Sequence, residues 1–130
     1  MDRLLAEVTE DVVSDLDPDS PLLNDLCRSW IGDEEVHLYA ADEVQAIRLF
    51  RNLRGVEDPQ SQPFTRKKWG ISQVEKPGGD RVACGPMMDS EVWPVAYGIN
   101  FPHAVARVVG ILTLRGAFPS CNDQVESLPA

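Results

Sequence analysis

Apolar residues recur with helical spacing in the first part of the chain and predict a helical hairpin. A first helix is expected from Asp2, as N-cap, to about Leu16. Its apolar stripe consists of Leu4, Leu5, Val8, Val12 and Leu16. Ser20 and Pro21 then have the chemistry of an N-cap and a first helical residue, and Gly32 that of a helix end. The apolar face of this second helix consists of Leu22, Leu23, Leu26, Cys27, Trp30 and Ile31.

The hydrophobic pattern changes after the hairpin. Residues 36–40 alternate between apolar and polar, with His37 and Tyr39 on the polar face, and this predicts a short strand. Asp42 is a candidate N-cap of a third helix, with Gln45 at the position of a capping box. The buried face of the third helix is expected to consist of Val44, Ile47, Phe50 and Leu53.

The second half of the chain has the pattern of an antiparallel sheet. Residues 66–84 predict a hairpin that turns at the Pro-Gly-Gly-Asp sequence of residues 77–80. Residues 92–99 form another extended run, in which Pro94 indicates an edge strand or a bulge. The apolar run 105–118 fits either a helix or a strand, and its β-branched content favours a strand.

These elements predict an α+β fold that consists of an N-terminal helical hairpin, a third helix and an antiparallel sheet. The sheet, either flat or curved, is formed mostly by the C-terminal half. The length of 130 residues and the hydrophobic share of 43% suit one domain with its own core. We expect this domain to span 1–119 and residues 120–130 to form a loose tail. The element order is similar to that of the cone-shaped fold of the nuclear transport factor and polyketide cyclase superfamily, although the chain contains no motif of that superfamily.

Charge is distributed unevenly along the chain. Residues 1–35 contain eleven acidic and two basic residues, whereas residues 48–81 contain eight basic and four acidic ones. The basic residues include Arg48, Arg51 and Arg54 on one flank of the third helix. The net charge of −9 nevertheless disfavours direct nucleic-acid binding, which typically requires a basic surface. A basic protein is the expected partner.

Cysteine content and hydropathy indicate the compartment. Three cysteines, far apart and odd in number, favour free thiols over a disulfide framework. Cys27 and Cys84 are expected to be small buried apolar residues. No apolar run is long enough to cross a bilayer, and the acidic start is unlike a secretory leader. These features predict a cytoplasmic protein that does not associate with membranes.

Several strong catalytic signatures are absent from the sequence. The chain has no phosphate-binding loop, no dinucleotide-binding glycine motif, no hydrolase nucleophile elbow and no zinc-protease helix motif, so no cofactor is expected. If the protein is an enzyme, acid–base chemistry would fall to His37, Asp42 and His103, in a pocket also lined by Tyr39 and Tyr97. The residue types that could together ligate a metal ion are present as His37, His103, Cys84 and Asp89. Their spacing does not support a metal site, and none is expected.

The sequence favours a protein that acts by contact with a basic partner, such as an inhibitor, antitoxin, immunity protein, chaperone or nucleic-acid mimic. The candidate contact residues are three acids spaced four apart and three apolar residues of one loop: Glu7, Asp11, Asp15, Met87, Met88 and Trp93. The alternative is a small enzyme or ligand-binding protein with a pocket between a curved sheet and the helices. The sequence leaves the oligomeric state open.

Overall fold

A computed structural model of the chain describes residues 8–53, Val56, 69–77, 79–88 and 91–119. It confirms the α+β class. The helices are α1 (Glu10–Val13), α2 (Pro21–Ile31), α3 (Glu43–Asn52) and α4 (Phe101–Arg115). The strands are β1 (Trp69–Gln73), β2 (Val82–Met88), β3 (Glu91–Val92) and β4 (Ala96–Gly98).

The core is built around α4. Every residue of this helix from Pro102 to Leu112 is buried, because α1, α2 and α3 contact it as well as β2 and β4. Hydrogen bonds fix α2 against it: Trp30 Nε1 donates to the carbonyl oxygen of Ala117, 2.9 Å away, just beyond the end of α4. At Gly110 a Cβ atom would lie 2.8 Å from Val13 of α1, so the absent side chain lets α1 pack closely.

The sheet is antiparallel and open, with β2 at its centre. One edge of β2 pairs with β1, from Trp69 opposite Pro86 to Gln73 opposite Val82. Residues 82–84 pair on the opposite edge with β4, and the end of β2 pairs with β3. The predicted hairpin of residues 66–84 is thereby confirmed for its described part.

A β-bulge interrupts the strand that returns along β2. Residues 85–86 of β2 face three residues of the return strand, 93–95, as the registers on either side of them require. Pro94 therefore lies in the bulge, between the short edge strands β3 and β4, which agrees with the alternatives that its sequence position predicts. A Cβ atom at Gly85 would collide with the carbonyl oxygen of Trp93, so only glycine fits where the return strand crosses β2.

The preference for a strand in residues 105–118 is wrong, because residues 105–115 belong to α4 and the remaining three follow its end. A helix that is buried on all sides has no polar face, so its sequence lacks the amphipathic period. The decisive signals lie at its ends: Asn100 Oδ1 accepts a hydrogen bond from the His103 amide, and Gly116 takes the left-handed conformation with φ 76°. The similarity to the cone-shaped fold ends here, since a helix replaces the last expected strand.

The first helix is also shorter than predicted. Thr9 is in extended conformation and caps α1, so no helix runs continuously from Asp2 to Leu16. Val13 is buried and Val12 is exposed, which is the reverse of the predicted stripe. The predicted residues before Val8 lie outside the described part of the chain.

The prediction of a strand at residues 36–40 is wrong as well. These residues form a loop and a turn, in which the Ala41 and Asp42 amides donate to the carbonyl oxygen of Leu38. Residues 36–38 are all exposed whereas Tyr39 and Ala40 are both buried, so burial does not alternate along this segment. Without a partner strand in the described residues, alternation alone does not determine which side faces the core.

The third helix begins after Asp42 as predicted, but it buries a different face. Asp42 Oδ1 accepts hydrogen bonds from the amides of Val44 and Gln45. The buried positions are Ala46, Leu49 and the following Leu53, whereas two of the predicted core residues, Val44 and Ile47, are exposed. Phe50 is half-buried against Phe101 of α4. The helix is rotated by about one residue from the orientation that hydrophobicity alone predicts.

Two cysteines behave as the sequence predicts. Cys27 and Cys84 are free and fully buried, and burial raises the pKa of both thiols far above its usual range. The third cysteine and the predicted tail, residues 120–130, lie outside the described residues.

Candidate functional site

The N-terminal half of the described chain is rich in exposed acidic side chains. Residues 8–53 contain eleven acidic residues and three arginines. Eight of the carboxylates are exposed and form no ion pair with any other described residue. These eight, called the acidic face below, are Asp11, Asp15, Asp17, Asp19, Glu34, Glu35, Asp42 and Glu43.

Two arginines of the helices are paired with carboxylates outside this set. Arg115 of α4 donates to Glu10 through two nitrogens, at 2.8 and 3.0 Å. Arg28 pairs with Asp25 within α2 at 3.0 Å. These two arginines therefore form no ion pair with the acidic face, whose nearest compensation in the described residues is the longer-range attraction of Arg107 for Asp15 and Asp17 and the capping bonds of Asp42.

A network of polar side chains braces the loop between α2 and α3. Asp33 lies at its centre: its Oδ2 accepts from the Tyr39 hydroxyl at 2.5 Å, and its two oxygens accept from Arg48 at 2.9 and 3.1 Å. The hydrogen bond from Arg48 lowers the pKa of the Asp33 carboxyl below its usual value. Burial, and then the bond to Asp33, raises the pKa of Tyr39. The bidentate pair and the buried ring hold the loop in one conformation.

A buried asparagine completes this brace. Asn24 Oδ1 accepts from the Ala40 amide at 3.0 Å, while its Nδ2 donates to the carbonyl oxygens of Ser20 and Pro18. Sequence reasoning missed this residue, because a polar side chain in α2 gives no sign of which loop will cover it. The result is a loop attached on one side to α2 and on the other to α3.

A second buried polar cluster joins the residues after α1 to α4 and the sheet. His103 Nδ1 accepts from the Ile99 amide at 3.0 Å, so Nε2 carries the proton and donates to the Leu16 carbonyl oxygen at 2.8 Å. Arg107 donates to the same carbonyl and to that of Tyr97, both at 2.9 Å, and lies 3.6 Å from Asp80. Burial lowers the pKa of His103. Both ring nitrogens are occupied, so neither is available to accept a substrate proton.

The three candidate acid–base residues make no hydrogen bond or ion pair with one another. His37 is partly exposed, 3.9 Å from Asp33 and edge-on to Tyr39, and Asp42 caps α3. His103 is occupied within the buried cluster. In the described part of the chain these side chains serve separate structural contacts rather than one catalytic arrangement.

The structure contains a groove of about 1040 Å³ between the hairpin turn and the start of α4. Its lining includes both charge signs and apolar side chains, with Lys76, Arg81, Asp80, Ile99 and Phe101 among them. None of the five residues predicted to line a catalytic pocket belongs to it. It lies open along the surface instead of penetrating between sheet and helices.

The structure separates the residues that were predicted to contact a partner. Asp11 is exposed on α1, whereas Asp15 lies in the turn beyond it, so the two do not continue one helical row. Met87 is half-buried over Gly70, and Trp93 is exposed beside the bulge. Glu7 lies outside the described residues, as does the side chain of Met88.

Metal binding and membrane insertion are two further properties that the described residues can indicate. No group of three or more histidine, cysteine, aspartate or glutamate side chains has the arrangement of a metal site there. Asp89, one of the four residues considered for such a site, lies outside them. No described helix is long and apolar enough to span a membrane.

Comparison with known proteins gives this surface no precedent. No protein-family model, curated protein or solved structure matches the chain. The residues and their geometry are therefore the basis on which a function is proposed.

Proposed function

We propose that this protein acts by contact and that its acidic face binds a basic protein partner. The observation that carries the proposal is the set of eight exposed carboxylates with no cation paired to them among the described residues. Like charges placed close together destabilise a helix or a loop. A partner with complementary charge removes that repulsion on binding and is steered towards the surface by it.

Ion pairs elsewhere in the protein illustrate how the carboxylates of the acidic face could have been neutralised. Glu10 and Asp33 each hold an arginine from another element at hydrogen-bond distance. The acidic face lacks such partners although the same helices supply arginines elsewhere. A surface that served only to keep the protein dispersed would gain stability from mixed signs.

An enzymatic function receives less support. The groove is open, it lacks the predicted acid–base residues, and both ring nitrogens of His103 are occupied. We therefore favour a binding function over catalysis.

A pull-down at two salt concentrations tests the proposal. The immobilised protein is incubated with native cytosol at 50 mM salt, bound proteins are identified by mass spectrometry, and the column is then washed with 300 mM salt. The expected result is a basic protein that is retained at low salt and released at high salt. The fourfold variant Asp11→Asn, Asp15→Asn, Glu34→Gln, Glu35→Gln should lose at least 90% of this retention while folding normally.

Glu75→Gln is the control, because Glu75 is an exposed carboxylate on the sheet hairpin rather than on the acidic face. It should retain the partner as the unmodified protein does. Equal retention by the fourfold variant, or retention that does not depend on salt, would refute the proposal. The urea midpoint of the fourfold variant should be unchanged or slightly higher, because repulsion has been removed.

A further inference from the structure

Four large apolar side chains project into solvent from one continuous loop–helix segment. Two come from the loop, Val36 at 51% and Leu38 at 62% exposure, and two from α3, Val44 at 67% and Ile47 at 42%. Together they are called the docking surface below. Single exposed apolar residues are normal on proteins, but four within twelve residues are typical of a contact site.

The exposure of these side chains is built into the fold. Tyr39, between the two exposed loop residues, is fully buried, and its hydroxyl is bonded to Asp33. Arg48 of α3 binds the same carboxylate, and the Ala40 amide is bonded to Asn24. The loop therefore cannot turn its apolar side chains inward without breaking this network. A surface held in its binding conformation loses little entropy when a partner docks.

Exposed carboxylates adjoin both parts of the docking surface along the chain, and Arg51, exposed one turn beyond Ile47, adds one cation at the far end of the helical part. Glu34 and Glu35 precede its loop part, and Asp42 and Glu43 precede its helical part, all four of them exposed. None forms an ion pair with a described residue. An apolar surface with an acidic rim is complementary to an apolar stripe with basic residues on its flanks.

The spacing of the helical part indicates the shape of the partner. Val44 and Ile47 are three residues apart on α3, so they form a ridge along the helix axis. Such a ridge packs into the groove between side chains of a second helix. A second copy of this chain is a poor occupant, because a two-fold symmetric contact would bring the acidic rims together.

We infer that the docking surface binds an amphipathic helix whose apolar stripe is flanked by lysine or arginine. The inference rests on the proposed function, since it identifies the part of the basic partner that reaches the apolar residues. Charge steers the helix to the rim, and burial of the four apolar side chains then selects an amphipathic sequence over any other basic one.

Titration with synthetic peptides, followed by backbone amide NMR shifts, tests this inference. The probes are an 18-residue leucine–lysine peptide with helical amphipathic spacing and a scrambled peptide of the same composition. The amphipathic peptide should shift amides of residues 34–47 and bind at least tenfold more tightly than the scrambled one. The double variant Val44→Gln, Ile47→Gln should bind it at least tenfold more weakly than the unmodified protein.

Val12→Gln is the matched control, because Val12 is 44% exposed on α1 beside Asp11 but lies outside the docking surface. It should bind within twofold of the unmodified protein. Equal binding of both peptides, shifts outside residues 34–47, an unaffected double variant, or a dimer that this variant dissociates would each overturn the inference. The first three of these results would leave charge-driven binding intact, whereas failure of both basic peptides to bind at 50 mM salt would also remove the proposed function.

Discussion

Replacement of Tyr39 by phenylalanine is expected to weaken the brace that holds the docking surface. The hydroxyl of Tyr39 donates to Asp33 Oδ2 at 2.5 Å, and the ring is fully buried. Phenylalanine retains the ring and its packing but removes the donor, so no cavity forms. Asp33 keeps its two bonds from Arg48.

The magnitude follows from the charge of the acceptor. A hydrogen bond to an ionised group contributes about 1.5–3 kcal/mol to stability. The Asp33 side chain is only 18% exposed, so solvent replaces little of this bond. With an m value of about 2 kcal/mol/M, the urea midpoint should fall by about 1 M. Because the pKa of Asp33 is lowered from 3.8 by folding, the effect should be constant between pH 7 and 5 and be lost as the pH falls through the lowered pKa.

Urea unfolding followed by tryptophan fluorescence measures this change. Tyr97→Phe is the control, because the half-buried Tyr97 has no hydrogen bond through its hydroxyl among the described residues, and it should change stability by less than about 0.5 kcal/mol. In a double-mutant cycle, Tyr39→Phe and Asp33→Asn should be coupled by about 1 kcal/mol or more. Equal effects of the two tyrosine variants, or additive effects in the cycle, would refute the assigned role of the hydroxyl.

Three further predictions concern the core. Gly85→Ala should destabilise the protein by about 3 kcal/mol or more in thermal unfolding, since its Cβ would collide with the Trp93 backbone; a loss under 1 kcal/mol would contradict the bulge geometry. Burial lowers the pKa of His103 below 6.5, so the folded state binds fewer protons than the unfolded state. The contribution of this group to the free energy of unfolding should be complete above pH 6.5 and decrease below it. In urea titrations between pH 7.5 and 5, His103→Gln should flatten this dependence. Thiol titration should find three free groups in the unfolded, unreduced chain, with Cys27 and Cys84 reacting slowly in the folded protein, and fewer than three would indicate a disulfide.

Local signals in the sequence determined the ends of several elements. Ser20 and Pro21 begin α2, Asp42 begins α3, and the turn at residues 77–80 reverses the hairpin. Pro94 likewise marks the edge and the bulge. Each of these signals acts through hydrogen bonds or backbone restrictions within three or four residues, so the rest of the fold is not needed to interpret it.

The tertiary structure decided which side of each element faces inward. A fully enclosed helix and a buried strand can have the same apolar sequence, so the period of residues 105–115 does not distinguish them, whereas the packing around α4 and the caps at its ends do. The observed orientation of α3 brings Arg48 against Asp33, fifteen residues away along the chain, and no local period records that contact. The helical part of the docking surface was likewise predicted to be buried, because Val44 and Ile47 are hydrophobic enough for the core, and only the packing of α3 through Ala46 and Leu49 leaves them outside.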